Sequence, residues 1–267
     1  MRTFVDQTSQ TITIPDSPRR IISLVPSQTE LLSDLGLTEE VVGITKFCIH
    51  PEEWFRSKTR VGGTKELKLD LIRSLKPDLV IANKEENDQA QVQQLSGEFP
   101  VWVSNIKTLQ EAKQMILSIG EMTNRFFEAV SLLKKIDLSF DELNLAMKEV
   151  NHLEAAYFIW NKPMMVAGGD TFISRMINAA GYRNAFRDLH RYPEVTDEQV
   201  MARHPEVIFL SSEPFPFGQK HVDEFRQRFS SSRVICVDGE LFSWYGSRLQ
   251  YAPGYFLKLF EQIETVK

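Results

Sequence analysis

The segment LDLIRSLKPDLVIANKE at residues 69–85 is repeated in outline as DEQVMARHPEVIFLSSE at residues 197–213. Each copy has an acid near its start, Asp70 or Glu198, and a proline seven positions after that acid. A second acid, an apolar run typical of a buried strand and a closing glutamate follow. A helix followed by a buried strand, present twice, predicts two related α/β halves. Ligands of such sheets bind at the carboxyl ends of the strands.

The composition is that of an ordinary globular protein. The chain has 267 residues, of which 42% are hydrophobic and 25% are charged, and this length suits one or two compact domains. The net charge of -5 and the absence of a lysine- or arginine-rich cluster argue against a nucleic-acid partner. The two cysteines, Cys48 and Cys236, are expected to be free thiols, although the sequence does not exclude a disulfide.

The N-terminal sequence lacks the apolar core that a signal peptide has, and no apolar run approaches the length of a membrane span. If Met1 is the native start, the residues alone predict a chain that stays in the cytoplasm.

Predicted strands and helices alternate in both halves of the chain. Residues 3–14 alternate between apolar and polar side chains and predict a short hairpin. A buried strand at residues 21–25 is followed by a turn and by a helix that ends at Gly36. Because this strand, turn and helix order recurs along the chain, we expect largely parallel sheets with helices on both faces.

One long helix is predicted in the middle of the chain. Residues 121–162 contain neither glycine nor proline, and their apolar residues recur at spacings of three and four. A helix from about residue 124 to 150 would be roughly 40 Å long. The expected domains are therefore an N-terminal lobe at residues 1–122, a connecting helix at 123–151 and a C-terminal lobe at 152–267.

Several segments, taken in order, resemble one family. They are RIISLVPSQTELLSDLG, GITKFCIHP, LKPDLVIA, the glycine-free helix and EQVMARHPEVIFL. This set resembles the substrate-binding proteins of ABC importers for vitamin B12, haem and ferric siderophores, also called helical-backbone metal receptors, and it is most similar to the vitamin B12-binding proteins. The resemblance covers the chain from about residue 20 onward. It implies an α/β fold of two Rossmann-like lobes with parallel sheets, joined by one long rigid α-helix, with a ligand cleft between the lobes.

The resemblance also implies a function. The chain would capture a chelated metal, which is a cobalamin or other corrinoid, a haem or a ferric siderophore, and deliver it to an ABC transporter permease dimer. The protein would be a monomer of the periplasm or cell envelope with no intrinsic cofactor. In the B12 receptors one acid in each lobe meets arginines of the transporter, and the matching positions are Asp70 and Glu198.

Aromatic side chains hold the corrin in the B12 receptors. The matching region runs from Phe47 to His50 in the first lobe and surrounds Trp244 in the second. Further matching positions are Thr64, Met165 and Tyr192. Thr64 and Asn83 stand where the B12 receptors are similar to one another in having tryptophan.

The residues themselves suggest further ligand contacts near the C-terminus. The segment FSWYGSR, residues 242–248, follows the last predicted strand. Trp244 and Tyr245 can offer flat surfaces to a planar macrocycle, and Arg248 can pair with a propionate or phosphate. The alternative is that Trp244 packs the loop onto the core.

Two other loops follow predicted strands. In residues 211–221, two prolines stiffen a loop that carries Glu213, Phe215 and His221, which suits a ligand, although the aromatic rings can instead cover the sheet. The corresponding loop in the first half carries Lys84 and Glu85, which are candidate ligand contacts. The alternative is that these two side chains only form polar surface.

His50 and Trp160 complete the candidates. His50 follows Cys48 in a loop where Pro51 favours extended backbone, and it is a candidate axial ligand, hydrogen-bond donor or metal ligand. No second pair with zinc-site spacing occurs in the sequence. Trp160 ends the strand after the long helix and is a candidate ligand residue, whereas Trp54 and Trp102 are expected in the core.

No motif of an enzyme is present. The sequence lacks GxSxG, HExxH, the kinase motifs and the deaminase signature, and its turns match neither GxGxxG nor the P-loop. We therefore predict a binding protein and not an enzyme. The alternative is a cytoplasmic metallochaperone or enzyme that reuses the same two-lobed cleft.

Overall fold

The computed structural model describes residues 1–264. Its strands, numbered in chain order, are β1 (Arg2–Val5), β2 (Thr11–Ile14), β3 (Ile21–Ser23), β4 (Val41–Ile44), β5 (Thr59–Arg60), β6 (Leu79–Asn83), β7 (Val101–Ser104), β8 (Leu153–Trp160), β9 (Met165–Val166), β10 (Tyr182–Asn184), β11 (Val207–Ser211) and β12 (Arg233–Val237). Its α-helices are α1 (Pro26–Asp34), α2 (Glu52–Ser57), α3 (Leu69–Leu75), α4 (Gln89–Ser96), α5 (Leu109–Met122), α6 (Phe126–Ala146), α7 (Phe172–Ala179), α8 (Asp197–Arg203), α9 (Gln219–Arg228), α10 (Gly239–Ser243) and α11 (Ala252–Glu264). A short 3₁₀ helix covers Ser247–Gln250.

The chain folds into two compact units. The first consists of Met1–Lys135 together with Tyr245–Arg248. Its sheet has the strand order β5-β4-β3-β6-β7, and every pair in it is parallel. The predicted N-terminal hairpin is present as β1 and β2. It attaches beside β7, where the backbone N–H of Gln7 donates to the Val103 carbonyl oxygen at 3.1 Å.

The second unit consists of Ile136–Trp244 and the chain from Leu249 onward. Its parallel strands follow the order β10-β8-β11-β12, and β9 pairs antiparallel to β8. Two parallel sheets, each interleaved with helices, confirm the predicted α/β class.

The repeated sequence forms the same structure twice. Helices α3 and α8 have seven residues each, and each ends at a residue with left-handed backbone, Lys76 (φ 45°) or His204 (φ 48°). A proline and an acid then lead into β6 or β11, whose five residues are all buried. Burial of a large apolar side chain contributes about 1.5–3 kcal/mol, so these two strands are major parts of their cores.

The cores contain the expected tryptophans. Trp54 is 1% exposed and Trp102 is 0% exposed, as predicted. The strands β5 and β10 were not predicted, because two or three residues carry too little periodicity to be recognised.

The long helix is shorter than its predicted range. Asn124 has a φ of 57°, which interrupts helical backbone, so α5 ends at Met122 and α6 begins at Phe126. Helix α6 ends at Ala146, four residues before the predicted end. The predicted lobe boundaries stay a prediction. None of the helices in residues 1–264 is both long enough and apolar enough to cross a membrane.

Candidate functional site

The carboxyl ends of the first sheet carry five of the predicted ligand residues. Because all pairs in this sheet are parallel, the loops after its strands leave from the same edge. Five residues lie in loops that follow β4, β5 or β6, namely Phe47, His50, Thr64, Lys84 and Glu85. The topology of the first unit therefore groups them at one sheet edge.

Buried amides hold these loops together. The Asn87 side chain is buried, and its Nδ2 donates to the carbonyl oxygens of Leu24 at 3.2 Å and Thr64 at 3.1 Å. Its Oδ1 accepts the backbone N–H of Asn83 at 2.8 Å. One side chain thus links the ends of β3, β5 and β6, which fixes the positions from which the loop side chains project.

Asn83 is part of this scaffold and not a surface for a ligand. It is 2% exposed, and its Nδ2 donates to Ser104 Oγ at 3.0 Å. Its Oδ1 accepts the backbone N–H groups of Glu85 and Glu86 at 2.8 and 3.0 Å. Asn83 is therefore a buried polar group that organises the loop after β6.

The loop after β4 presents apolar side chains and a buried thiol. Phe47 is 51% exposed and Ile49 is 45% exposed. Cys48 is buried, and burial raises the pKa of its thiol to about 11, although hydrogen bonds with Thr29 and Thr45 act in the opposite direction. Within residues 1–264 no group of three or more His, Cys, Asp and Glu side chains is placed to hold a metal ion, so metal ligation by His50 stays a prediction.

The C-terminal aromatic pair is buried. Trp244 and Tyr245 are each 7% exposed, so the expectation that two adjacent rings present open faces is wrong. The physical reason is that both polar tips have carboxylate partners, which makes burial of the rings favourable. Tyr245 Oη donates to Glu86 Oε1 at 2.7 Å, and Trp244 Nε1 donates to Glu213 Oε1 at 2.9 Å. Whether either ring touches a ligand stays a prediction.

Arg248 has a partner within the first unit. Its Nη2 and Nε donate to the two carboxylate oxygens of Glu30 at 2.6 and 2.9 Å, and both side chains are 16% exposed. Burial raises the pKa of Glu30, and the hydrogen bonds from Arg248 oppose that rise. Gly246 lies so close to α1 that an added Cβ would be 2.4 Å from the Ser27 carbonyl oxygen. The segment Tyr245–Arg248 is therefore built into the first unit.

Sequence reasoning missed Glu30 as the partner of Arg248 and Glu86 as the partner of Tyr245. Neither lies in a recognisable motif, and their partners are distant in sequence, by 218 residues for Glu30 and Arg248 and by 159 for Glu86 and Tyr245. No signal in a single sequence reveals pairs of this separation.

In the second unit, Glu213 lies at the carboxyl end of β11 and is half-buried. Its Oε1 accepts hydrogen bonds from Ser243 Oγ at 2.6 Å and from Trp244 Nε1 at 2.9 Å. Burial raises the pKa of Glu213, and these two donors oppose the rise. The carboxylate is thus held in place by the loop after β12.

An aromatic cluster lies at the same end of the second sheet. Trp160 is 38% exposed, and its ring centroid is 5.5 Å from that of Phe215 in an edge-on arrangement. Phe215 in turn contacts Phe217 at 4.7 Å and His221 at 5.2 Å. His221 Nδ1 accepts the backbone N–H of Gly218 at 3.1 Å, so this histidine also stabilises the start of α9. The structure brings Trp160, Phe215 and His221 together.

Met165 and Tyr192 are two further predicted ligand residues of the second unit. Met165 pairs with Trp160 in the β8–β9 ladder and is half-buried. Tyr192 is half-buried, with the Arg191 guanidinium 5.9 Å from its ring centroid.

The two predicted docking acids are exposed. The Asp70 side chain is fully exposed in the first turn of α3 and accepts a hydrogen bond from Arg73 at 2.8 Å. Glu198 is exposed in the first turn of α8, where a hydrogen bond with Thr196 lowers the pKa of its carboxyl. Each acid therefore occupies the same position in its copy of the repeat.

A surface groove of about 540 Å³ in the first unit contains none of the predicted residues. Its walls come from the hairpin turn, from α5 and from Asn105 after β7. The grouping of candidate residues at the strand ends is thus separate from this groove.

The sequence of the chain matches a known family over most of its length. The model of the periplasmic binding protein family matches residues 21–234. The chain belongs to this family. The ABC transporter substrate-binding lipoprotein YvrC of Bacillus subtilis is 29% identical to it, over 92% of this chain and 81% of the relative. The vitamin B12-binding protein of Vibrio campbellii is 30% identical, over 72% of this chain and 70% of the relative.

Solved structures of periplasmic binding proteins share the fold. The periplasmic vitamin B12-binding protein BtuF of Vibrio cholerae has a TM-score of 0.82 at 22% identity, covering 94% of this chain and 99% of that one. The apo form of the periplasmic haem-binding protein RhuT of Roseiflexus sp. RS-1 has a TM-score of 0.80 at 22% identity, covering 91% and 98%. The predicted family and two-lobed fold class are confirmed. Because this family consists of binding proteins, the prediction that the chain is not an enzyme is confirmed as well.

Proposed function

We propose that this periplasmic binding protein captures a metal chelate of the corrinoid, haem or ferric siderophore type for delivery to an ABC importer. The observation that carries the proposal is the exposure of aromatic rings at the carboxyl ends of both sheets. Phe47 is 51% exposed in the first unit and Trp160 is 38% exposed in the second. Vitamin B12-binding relatives and haem-binding structural neighbours support the ligand type.

The physical basis is a flat apolar surface on a fixed backbone. An aromatic ring that is left open to water gains free energy when an apolar macrocycle covers it, and a pre-ordered loop reduces the entropy lost on binding. Trp160 is fixed by its Nε1, which donates to the Lys162 carbonyl oxygen at 3.1 Å, and by the edge-on contact with Phe215. The loop after β4 is anchored by buried Cys48.

The proposal includes a partner and a location. Asp70 and Glu198, exposed at matching positions in α3 and α8, are the proposed contacts with a permease dimer. Relatives named as lipoprotein or periplasmic proteins support a place in the cell envelope. They give no support to the cytoplasmic location that the N-terminal sequence suggested. The chelate is cargo, so no resident cofactor is proposed, and the protein is proposed to act as a monomer.

A thermal shift assay tests ligand capture. Cyanocobalamin, hemin and a ferric siderophore are added separately at 100 times the dissociation constant, where binding stabilises the folded state by about 2.7 kcal/mol. For a chain of this size the expected rise in Tm is about 5–10 °C for a true ligand. Trp160→Ala and Phe47→Ala are expected to reduce the rise, whereas Phe127→Ala, at an exposed ring on α6, is the matched control. A panel with no shift and no tryptophan quenching would remove the proposal.

A transport assay tests docking. Asp70→Ala and Glu198→Ala are expected to lower the stimulation of ATP hydrolysis by a reconstituted cognate transporter by about fivefold each, since each removes one charged contact. Chelate affinity is expected to stay unchanged. Glu142→Ala, an exposed acid on α6, is the matched control. Normal stimulation by the double variant would exclude these two acids as contacts.

A further inference from the structure

The two copies of the repeat differ in charge around their proposed docking acids. Residues 66–78 and 194–206 are matching stretches, offset by 128 positions. The first has no net charge, because it contains three acids and three basic residues, namely Glu66, Asp70, Asp78, Lys68, Arg73 and Lys76. The second has a net charge of -3 with histidine neutral, because it contains four acids and one arginine, namely Glu194, Asp197, Glu198, Glu206 and Arg203. The surroundings of α8 are therefore acidic, and those of α3 are balanced.

In the first unit, basic side chains compensate Asp70. Arg73 Nη1 donates to Asp70 Oδ1 at 2.8 Å, while its Nε and Nη2 donate to the Glu98 carboxylate at 2.8 and 2.7 Å. One guanidinium thus binds two carboxylates. Lys68 and Lys76 are exposed and flank α3. A cation of a partner that approaches Asp70 therefore meets repulsion from the cations of the same segment.

In the second unit, neutral residues occupy the positions of these three cations. They are Thr196, Met201 and His204. Two of them serve the helix itself, since Thr196 is the N-cap of α8 and His204 is its C-cap, with a φ of 48°. The third, Met201, matches Arg73 and is 48% exposed. An apolar side chain thus replaces the cation that stands three residues after the docking acid.

The arginines that adjoin α8 are bound by other acids. Arg203 Nη2 donates to Asp188 at 2.8 Å, and Arg228 Nε donates to Asp197 at 3.1 Å. Within residues 1–264 Glu198 forms no ion pair. A local hydrogen bond lowers the pKa of its carboxyl, so Glu198 is ionised at neutral pH. Helix α8 therefore offers a partner a full negative charge.

Glu198, Met201 and Ala202 form one exposed surface of α8, which we call the α8 face. Residues three and four apart lie on the same side of a helix, so the carboxylate, the thioether and the methyl group are neighbours. Methionine is enriched in protein interfaces, because its flexible and polarisable side chain adapts to an apolar partner. The positions in α3 that match the two apolar residues hold Arg73 and Ser74. The α8 face can therefore bury apolar surface that α3 does not have.

We infer that the α8 face is an apolar as well as a charged docking contact, and that the permease surface that binds it is an apolar depression bordered by a cation. This inference rests on the proposed function and deepens it. Asp70 and Glu198 each supply a charged contact, and Met201 adds a contact that has no counterpart in the first unit. Docking is therefore unequal between the two copies of the repeat, and the acidic surroundings of α8 attract the cationic partner.

Binding kinetics of the full chain test the apolar contact. Affinity for the cognate permease–ATPase complex in nanodiscs is measured by biolayer interferometry. Met201→Ala is expected to bind about fivefold more weakly through faster dissociation, because apolar surface is no longer buried. Met201→Leu keeps an apolar side chain and is expected to keep most of the affinity. Glu198→Gln is expected to act mainly on the association rate, since it removes charge. Leu145→Ala, at a 75% exposed position of α6, is the matched control.

A reciprocal exchange tests the difference between the two copies. Met201→Arg gives α8 the residue of α3 and is expected to weaken docking at least about tenfold, because a cation then faces a cationic partner. Arg73→Met gives α3 the residue of α8 and is expected to strengthen docking about threefold, because it releases Asp70 and adds an apolar contact. Thermal unfolding of each variant checks that the fold is retained.

The outcomes separate the inference from the proposed function. Parent-like binding by Met201→Ala and Met201→Arg, with weak binding by Glu198→Gln, would overturn the apolar contact and leave the docking acids in place. Weaker docking by a folded Arg73→Met would show that Arg73 itself contacts the partner, which would overturn the unequal roles of the two copies. Unchanged affinity of both Asp70→Asn and Glu198→Gln would overturn the docking proposal together with this inference.

Discussion

The two copies of the helix–strand repeat agree at the amino ends of their strands and differ at the carboxyl ends. At the amino ends, the N–H groups of Asp78 and Glu206 donate to Arg20 and Glu154 at 3.0 and 2.8 Å, which joins each strand to its neighbour in the same way. At the carboxyl ends, Asn83 is a buried amide that organises the loop, whereas its counterpart Ser211 accepts a hydrogen bond from the Tyr157 hydroxyl at 3.0 Å.

The closing glutamates show the same divergence. Glu213 is held through its carboxylate by Ser243 and Trp244, whereas in the first unit it is Glu86, one position beyond Glu85, that receives the aromatic donor Tyr245. The backbone that builds the sheet is common to both copies, and the side chains that end it are particular to each. Such divergence is expected if the strand ends bind the proposed ligand and the strand starts do not.

The largest expected effect lies in the buried strands. Phe209 and Ile81 occupy matching positions in β11 and β6, and both are 0% exposed. Phe209→Ala is expected to lower the free energy of unfolding by about 4 kcal/mol, because it also removes edge-on contacts with Tyr182 at 5.0 Å and Tyr157. Ile81→Ala is expected to lower the free energy of unfolding by about 3 kcal/mol.

Urea unfolding followed by circular dichroism measures both values, with Phe209→Leu and Ile81→Val as milder controls. If either alanine variant lowers the free energy of unfolding by less than about 1 kcal/mol, the two strands do not contribute to their cores in the same way.

An intermediate effect is expected at the acids that precede these strands. The carboxylate oxygens of Asp78 accept the backbone N–H groups of Arg19 and Arg20, each at 2.8 Å, whereas the Glu206 carboxylate accepts that of Glu154, at 3.0 Å. Asp78→Ala is expected to lower the free energy of unfolding by about 2 kcal/mol and Glu206→Ala by about 1 kcal/mol. Hydrogen bonds to a carboxylate are stronger than those between neutral groups, and Asp78 loses two of them whereas Glu206 loses one.

Asp78→Asn keeps one acceptor oxygen, so it should lower the free energy of unfolding by about half as much as Asp78→Ala. Thermal unfolding of the three variants gives the order. If Glu206→Ala proves more costly than Asp78→Ala, the acids do not have matching roles at the two strand starts.

The smallest effect concerns pH. The pKa of Glu213 is raised in the folded protein, mainly by burial, so the folded state binds this proton more tightly than the unfolded state. The contribution of Glu213 to the stability of the folded state is therefore fully present below the ordinary carboxyl pKa. It is lost as the pH rises through the raised pKa of the folded state. Glu213→Gln keeps an acceptor oxygen for Ser243 and Trp244 and removes that loss.

Calorimetry between pH 4 and 8 is expected to show that Glu213→Gln is more stable than the parent protein at pH 7 by up to about 0.5 kcal/mol, with a flatter pH profile. A destabilised Glu213→Gln variant at pH 7 would show that the carboxylate charge is favourable in the folded state.

The sequence predicted those parts of the molecule that depend on local pattern. The repeat, the parallel sheets, the long helix and the buried Trp54 and Trp102 follow from periodicity and from glycine and proline positions. The placement of Phe47 and Lys84 at strand ends follows from the predicted order of strands and loops.

Pairs distant in sequence were not predictable. The burial of Trp244 depends on Glu213, and that of Tyr245 depends on Glu86, and neither partner is visible from the aromatic pair itself. Arg248 was assigned to a ligand because its bidentate partner, Glu30, lies on a helix of the other half of the sequence. Tertiary contacts of this kind decide which polar groups remain available for a ligand.

The first unit is discontinuous in the gene. It needs Met1–Lys135 and also Tyr245–Arg248, four residues that are encoded more than a hundred codons later. A fragment that stops at residue 135 would leave Glu30 and Glu86 without Arg248 and Tyr245. Exchange of this lobe between homologous proteins by recombination therefore succeeds only if the late tetrapeptide is exchanged with it.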